Sequence, residues 1–404
     1  MVIAMTCRYA SFSTILSLWG WSTAAVLIAI LIGPELRPSR ELDTIRSLPD
    51  GPWEQFSARD GGYYLRIATS GYEWNRNDGK AVVFFPAYPV AGHLIRASTR
   101  IPPIVSLMLV SNLSCLLAAW IWSRYVSGRV THGSERLAVN ATVWLLLSPM
   151  SLFFRVCYSE SLFVLILALW LYGTQQRWSL WLLAIIAGLA TATRPVGIVL
   201  LPVFVWHLWQ TSNDGRAFLR SLVWAPVAVW GLLAYMIYLG LVHGDPLLFA
   251  HGQEEWVMKP LTLPAKLVEL LTLEPIWGCY LPQSHHYWAT LRPGNTLWNS
   301  LDFWNPIYFV AAMGLVIYGG VRHWLNSLEL LLGLLLLAFP YSMIAAENSM
   351  QSQARFTVVV LPVYLVLAHA TVRFPPWGRM AVYLPVGLLL LAVSVVFGSL
   401  GCVF

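Results

Sequence analysis

Apolar runs of roughly 20 residues recur along this chain, and they constrain its fold more than any other feature. Each is long enough to cross a bilayer as a helix rising about 1.5 Å per residue. Backbone N–H and C=O groups in lipid must pair within the segment, so helices are the expected spanning form. The runs lie at about 13–33, 103–123, 137–153, 159–174, 178–192, 196–210, 219–242, 303–321, 324–345, 356–372 and 380–400. This predicts an all-α polytopic membrane protein of about 11 transmembrane helices, a single integral-membrane domain over 1–404. Composition agrees: 58% of residues are hydrophobic and 11% charged, against about 25% charged in a soluble domain. Many of the 21 tryptophans, Trp19, Trp21, Trp178, Trp206 and Trp209 among them, sit near run ends, where interfacial belts form.

Two long polar regions interrupt the runs, at about 34–102 and 243–301. The short connections hold Arg8, Arg124, Arg129, Arg136, Arg177, Arg216, Arg220, Arg322, Arg373 and Arg379, opposed only by Glu135 and Asp214. The positive-inside rule then puts the amino terminus in the cytoplasm and both polar regions outside. The net charge of +6 is explained by these loops, and no nucleic-acid partner is implied. The first run is longer than a signal h-region and has no small-x-small site behind it, so it reads as a retained helix. Pro86 to Arg96 reads as a short helix along the interface. Cys7, Cys115, Cys157, Cys279 and Cys402 show no metal-ligand spacing. Cys157 and Cys279 would both face outward, which leaves a disulfide between them open.

The stretch from Ser57 to Pro89 carries the first chemical signal. Asp60 stands between Arg59 and Gly61-Gly62, with Tyr63 and Tyr64 beside it. A carboxylate next to a cation is held ionised, and the aromatic faces suit the apolar face of a sugar ring. The plainer account is a loop Asp turning the chain before two glycines. Further along, Arg155, Tyr158 and Glu160 crowd one short link at the membrane surface, where charge is costly and usually functional. Glu160 alone is explained by a helix amino terminus, which favours an acid. Arg194-Pro195 breaks two runs, and Arg355 enters another. Each Arg either snorkels from a helix end or binds a phosphate through its guanidinium fork. In the second polar region, His243, Asp245 and His251 would hold a metal or shape an acceptor site, a solvated loop being the plainer account. His285-His286 lies far from any third ligand in sequence, so no metal site is assigned. There is no Walker loop, G-x-S-x-G or dinucleotide fingerprint, which removes ATP-driven pumping and serine hydrolysis.

These residues resemble a family. Asp60-Gly-Gly-Tyr-Tyr-Leu-Arg-Ile-Ala-Thr-Ser-Gly71-Tyr72, then Phe84-Phe-Pro-Ala-Tyr-Pro89, is similar to the first-loop signature of the PIG-V mannosyltransferases of GPI-anchor synthesis and their bacterial relatives. Ser148-Pro149 through Phe153, then Tyr158-Ser-Glu-Ser-Leu-Phe163, and Arg194-Pro-Val-Gly197 resemble its second and third motifs. Behind about residue 200 the likeness is looser, resting on Gly244-Asp245-Pro246 and Arg355. Arg59 stands where the family has Trp, and Val196 where it has Asn, departures that leave the acceptor and the donor sugar open. The resemblance implies a GT-C-type bundle with its active site on the outer or lumenal face. It implies inverting transfer from a polyprenyl- or dolichyl-phosphate sugar.

The residues suit that chemistry. One base must take the acceptor proton, and Asp60 is the best-placed candidate. Arg194, Arg355 and Arg155 would hold the donor phosphate and stabilise its charge as it leaves. Arg59, Tyr63, Tyr64, Tyr158, Glu160, Asp245 and His251 would line the substrate site. The acceptor would be a lipid-linked glycan or other glycolipid, reached among membrane lipids. No cofactor is expected, and a divalent metal is left open. A bacterial inner membrane is the expected location, or the endoplasmic reticulum in a eukaryote. Two other readings compete. A lipid-linked-sugar transporter or flippase would carry charges at mid-helix depth and a repeat between halves. A transferase of another sugar, such as arabinose or another hexose, would act on a cell-envelope glycan or a protein.

Overall fold

The computed structural model describes residues 10–36, 53–72, 79–129, 134–291 and 300–399. Among these residues the structure is helical, with no strand. Six helical stretches are long and apolar enough to cross a membrane: Phe12–Leu36, Pro103–Gly128, Gly215–His243, Leu301–Val321, Ser327–Asn348 and Pro376–Gly398. Shorter apolar helices span Glu160–Gln175, Leu180–Thr193, Pro195–Thr211 and Leu361–Thr371, and Ser134–Leu147 packs among them. The chain is an integral membrane protein built as a helical bundle.

Burial sorts the bundle into centre and rim. Half of the apolar window of Pro103–Gly128 is buried, against 17% for Pro376–Gly398. In Glu160–Gln175, Phe163, Leu167 and Trp170 are fully enclosed. A helix apolar on all sides and buried on many belongs to the centre. On the rim helices, Trp21, Ile28, Leu384 and Leu388 face outward, as lipid contact requires.

Proline explains where the expected runs break. The run at about 137–153 stops at Leu147, because Ser148 is extended before Pro149 and a 3-10 turn, Pro149–Phe154, follows. The run at about 219–242 is interrupted by turns at Leu222–Trp224 and Val227–Val229 around Pro226, and resumes as Trp230–His243. The run at about 356–372 becomes a short helix, Gln353–Thr357, and then Leu361–Thr371. The polar regions, expected as loops, hold helices of their own. Asp60–Ser70 buries Tyr63, Tyr64, Leu65, Ile67 and Ala68, and Ala87–Thr99 matches the short helix expected near Pro86. Leu263–Thr272 lies in the second region. Cys157 and Cys279 are buried free thiols, not a disulfide. Cys7, Cys402, Arg8 and Arg136's neighbours at 130–133 lie outside or at the edge of the described residues.

The first and last spanning helices cross at glycine. A Cβ on Gly398 would lie 2.0 Å from the Ile30 carbonyl oxygen, and one on Gly33 would lie 2.5 Å from that of Val395. Small residues permit such backbone contact in lipid. Gly398→Ala is therefore expected to destabilise the protein by about 1–3 kcal/mol through overpacking. A thermal melt in detergent reads this, and an unchanged midpoint would mean that the crossing relaxes freely.

Candidate active site

Four helix ends meet where the motifs converge. Asp60 and Glu160 are the first residues of their helices, Arg194 caps the end of Leu180–Thr193, and Arg355 lies in Gln353–Thr357, just beyond Ser327–Asn348. The first polar region and the Arg155–Glu160 link are knitted together at the backbone. Cys157 N–H donates to the Phe56 carbonyl at 2.9 Å, and the Tyr158 hydroxyl donates to the Ala58 carbonyl at 3.0 Å. Pro103–Gly128 holds the link from behind, with Ser111 donating to the Tyr158 carbonyl and Asn112 to that of Arg155. Gly61 lets the Asp60 helix approach, since a Cβ there would already stand 3.3 Å from the Cys157 carbonyl oxygen.

The charged groups form one chain of ion pairs. Arg355 donates from Nη1 to Asp60 Oδ2 and from Nε to Glu160 Oε1, both at 2.5 Å. Arg194 Nη1 lies 2.7 Å from the same Glu160 oxygen, close enough for an ion pair but not aligned as a hydrogen bond. Two carboxylates and two guanidiniums thus balance. Glu160 is fully buried, and its Oε2 has no hydrogen-bond partner among the described residues. Asp60 is the most open of the four, with 19% of its side chain exposed against 5% for Arg355. The Arg355 guanidinium also lies 4.5 Å from the Tyr158 ring centroid and 5.0 Å from that of Phe153, a desolvated cation–π arrangement.

Backbone strain flanks this cluster. Arg59 has φ +59°, and Ser349, Met350 and Ser352 have φ of +50°, +61° and +63°. Such conformations cost of order 1–3 kcal/mol each and persist where the surroundings over-determine them. Here Asn305 Oδ1 accepts from Ala354 N–H, and Asn348 Oδ1 accepts from Met258 N–H.

The other named residues take different places. Arg155 is buried and points away from the cluster, donating to the Ser151 and Leu146 carbonyls and to Ser22 Oγ. It ties the Pro149–Phe154 turn to the first spanning helix. Tyr63 stacks on Phe84 at 4.8 Å, and Tyr64 packs edge-on against Phe84 and Tyr88 while its hydroxyl bonds Ser159 Oγ. Their faces are given to packing, not to an open sugar site. Asp245 and His251 pair with each other at 2.7 Å, exposed and apart from the ion-pair chain. The hydrogen bonds from His251 and from Leu247 N–H hold the Asp245 carboxyl below its ordinary pKa. His285-His286, which has no third ligand near it in sequence, is joined in the fold by Glu269, all three ligand atoms lying within 4.8 Å of one another. Glu269 was missed because it stands alone in an amphipathic stretch, sixteen residues before the pair.

A second buried charge cluster stands far away. Glu329 accepts from the Tyr125 hydroxyl and pairs with Arg129 at 3.0 Å. Glu329 and Asn348 begin and end one helix, roughly 28 Å apart at the helical rise. The Arg129–Glu329 pair and the Ser349–Arg355 segment that meets Asp60 therefore lie toward opposite ends of this helix.

Comparison with known proteins finds likeness in the first half of the chain. The model of the family described as mannosyltransferase (PIG-V) matches residues 22–217. That segment holds Asp60, Glu160 and Arg194, while Arg355 lies beyond it. Among curated proteins, GPI alpha-1,6-mannosyltransferase 2 of Cricetulus griseus is 29% identical over 201 residues, 47% of this chain and 37% of the relative. The Mus musculus protein of that name is 30% identical over 207 residues, 48% of this chain and 39% of the relative. The match thus spans little more than a third of these relatives' length. Among solved structures, the Archaeoglobus fulgidus oligosaccharyltransferase overlays 94% of this chain and 55% of its own at 13% identity, with a TM-score of 0.40, too low to carry an argument about shared architecture. The matched segment contains all three motifs on which the resemblance to the PIG-V mannosyltransferases rests.

Proposed function

We propose, from the PIG-V family match over residues 22–217, that this chain is a membrane mannosyltransferase with a GT-C-type bundle. It takes its sugar from a polyprenyl- or dolichyl-phosphate donor and passes it with inversion to a lipid-linked glycan. A bacterial inner membrane fits the reading, with the Asp60 end of the bundle facing outward. One observation carries it: Asp60, the most open carboxylate of a buried ion-pair chain, shares Arg355 with Glu160. An inverting transfer needs a base beside a cation that can meet a departing phosphate.

The geometry supports a division of labour. Arg355 donates to Asp60 Oδ2. A donor phosphate would compete for Arg355. Drawing the guanidinium toward phosphate would loosen its hold on Asp60 and free that carboxylate to meet an acceptor hydroxyl. Arg194, anchored on Glu160, would supply a second positive charge. The transporter alternative draws no support from ionisable groups placed at helix ends.

The direct test incubates purified protein with polyprenyl-phosphate mannose and with other lipid-phosphate sugars, and follows which is consumed and with what anomeric outcome. Consumption of none, with a candidate glycolipid acceptor present, counts against the enzyme reading. A second expected result concerns the cations. Arg194→Ala is expected to raise the donor KM, and Arg194→Lys to restore part of it, since an ammonium lacks the bidentate fork. Unchanged donor kinetics in Arg194→Ala would reduce this residue to a partner of Glu160.

A further inference from the structure

The second polar region is tied to the segment that presents Arg355. Met258 N–H donates to Asn348 Oδ1 at 2.8 Å, Lys259 N–H donates to the Glu347 carbonyl at 3.1 Å, and Lys266 pairs with Glu347 at 2.6 Å. Lys259 Nζ then donates to the His285 carbonyl at 2.7 Å. At the centre of this contact, His286 Nδ1 meets Ser349 Oγ at 2.8 Å, and Ser349 opens the run of left-handed residues that leads to Arg355.

On the inner side of the same ring, three ligand-type atoms converge. His286 Nε2 stands 3.0 Å from Glu269 Oε2, and His285 Nε2 stands 3.4 Å from Glu269 Oε1. The His285 Nε2 atom is buried and makes no hydrogen bond among the described residues. Ligands about 2.0–2.2 Å from a tetrahedral zinc ion are held roughly 3.4 Å from one another; here the two carboxylate–imidazole approaches are 3.0 and 3.4 Å, and the three ligand atoms lie within 4.8 Å of one another. Two imidazoles and one carboxylate are a donor set for zinc, not for magnesium or calcium. Ser349 also has the position of an outer-shell partner: when Nδ1–H donates to its Oγ, the lone pair of His286 Nε2 faces inward, toward the other two ligands.

We propose that Glu269, His285 and His286 bind a zinc-type divalent transition metal with one open position, and that this ion clamps the second polar region onto the strained Ser349–Ser352 segment. The site lies outside the ion-pair chain of Asp60, Glu160, Arg194 and Arg355. The ion therefore holds the carrier of Arg355 in place and takes no part in transfer. Its assignment does not depend on the mannosyltransferase reading, because metal binding is measured without any sugar substrate.

The test uses the full chain in detergent, purified through a tag free of histidine and stripped with chelator. Cobalt(II) is titrated in, and visible absorption of tetrahedral cobalt is recorded. One cobalt per chain is expected, displaced by zinc, with zinc raising the thermal midpoint. His285→Ala removes an imidazole nitrogen that makes no hydrogen bond, so it is expected to fold and to lose the cobalt bands. Ser349→Ala is expected to weaken binding by about 10–100-fold while leaving all three ligands in place. The exposed His323, replaced by His323→Asn, is expected to leave binding unchanged. No stoichiometric cobalt, or cobalt bound equally well by His285→Ala and Glu269→Gln, would overturn the proposal and leave these groups as a hydrogen-bonded imidazole–carboxylate cluster.

Discussion

Asp60→Asn is expected to lower the rate of sugar transfer by about 10²–10⁴-fold, the range that a positioned general base contributes. The substitution keeps the size and the acceptor oxygen that meets Arg355, while removing the basic carboxylate. Asp60 is partly exposed and Glu160 still satisfies Arg355, so the fold is expected to survive. Donor affinity should hold or improve, because Arg355 is then bound less tightly to its own protein. Asp60→Glu is expected to recover little, since the longer arm moves the carboxylate from the helix's first position and misplaces the base. Turnover per folded molecule, measured beside a thermal melt, decides the matter. Near-normal turnover in Asp60→Asn removes this residue as the base.

Glu160→Gln is expected to act chiefly on stability. Glu160 is fully buried, and its Oε1 accepts a hydrogen bond from Arg355 and forms an ion pair with Arg194. Removing the charge takes from Arg194 and Arg355 the carboxylate that they share. Breaking a buried pair from one side costs about 3–5 kcal/mol, because the remaining ion is desolvated and uncompensated. The double variant Glu160→Gln with Arg194→Gln is expected to regain part of that loss, since charge is then removed from both sides. The thermal midpoints of the two variants measure this directly. A midpoint for Glu160→Gln close to that of the unmodified protein would mean that water reaches the cluster and screens it.

These two expectations separate roles that look alike in sequence. Asp60 and Glu160 both open helices, both lie in motifs, and both meet Arg355. One is partly open and the other is enclosed, so the proposed base is the first and the proposed charge-compensating partner the second.

Much of this could be read from the sequence because it depends on local properties. Apolar length determines which segments suit the membrane, and the runs at about 13–33, 103–123, 303–321 and 380–400 match spanning helices within a few residues. Proline marks breaks through its missing N–H and fixed φ, as at Pro149 and Pro195. The side chains of Asp60, Glu160, Arg194 and Arg355 announce themselves because charge near a membrane is costly. Partnership is not a local property. Arg155 and Arg194 read alike in sequence, yet one bonds carbonyls and Ser22 inside the bundle and the other meets Glu160. Tyr63 and Tyr64 promised open faces, and the fold gave those faces to Phe84 and Tyr88. Arg355 reaches Asp60 across 295 positions of sequence, and Glu269 reaches His286 across a turn of the second polar region. Residue chemistry and hydropathy travel with the chain, whereas which helix ends meet is decided by packing among helices, and only the tertiary structure carries that information.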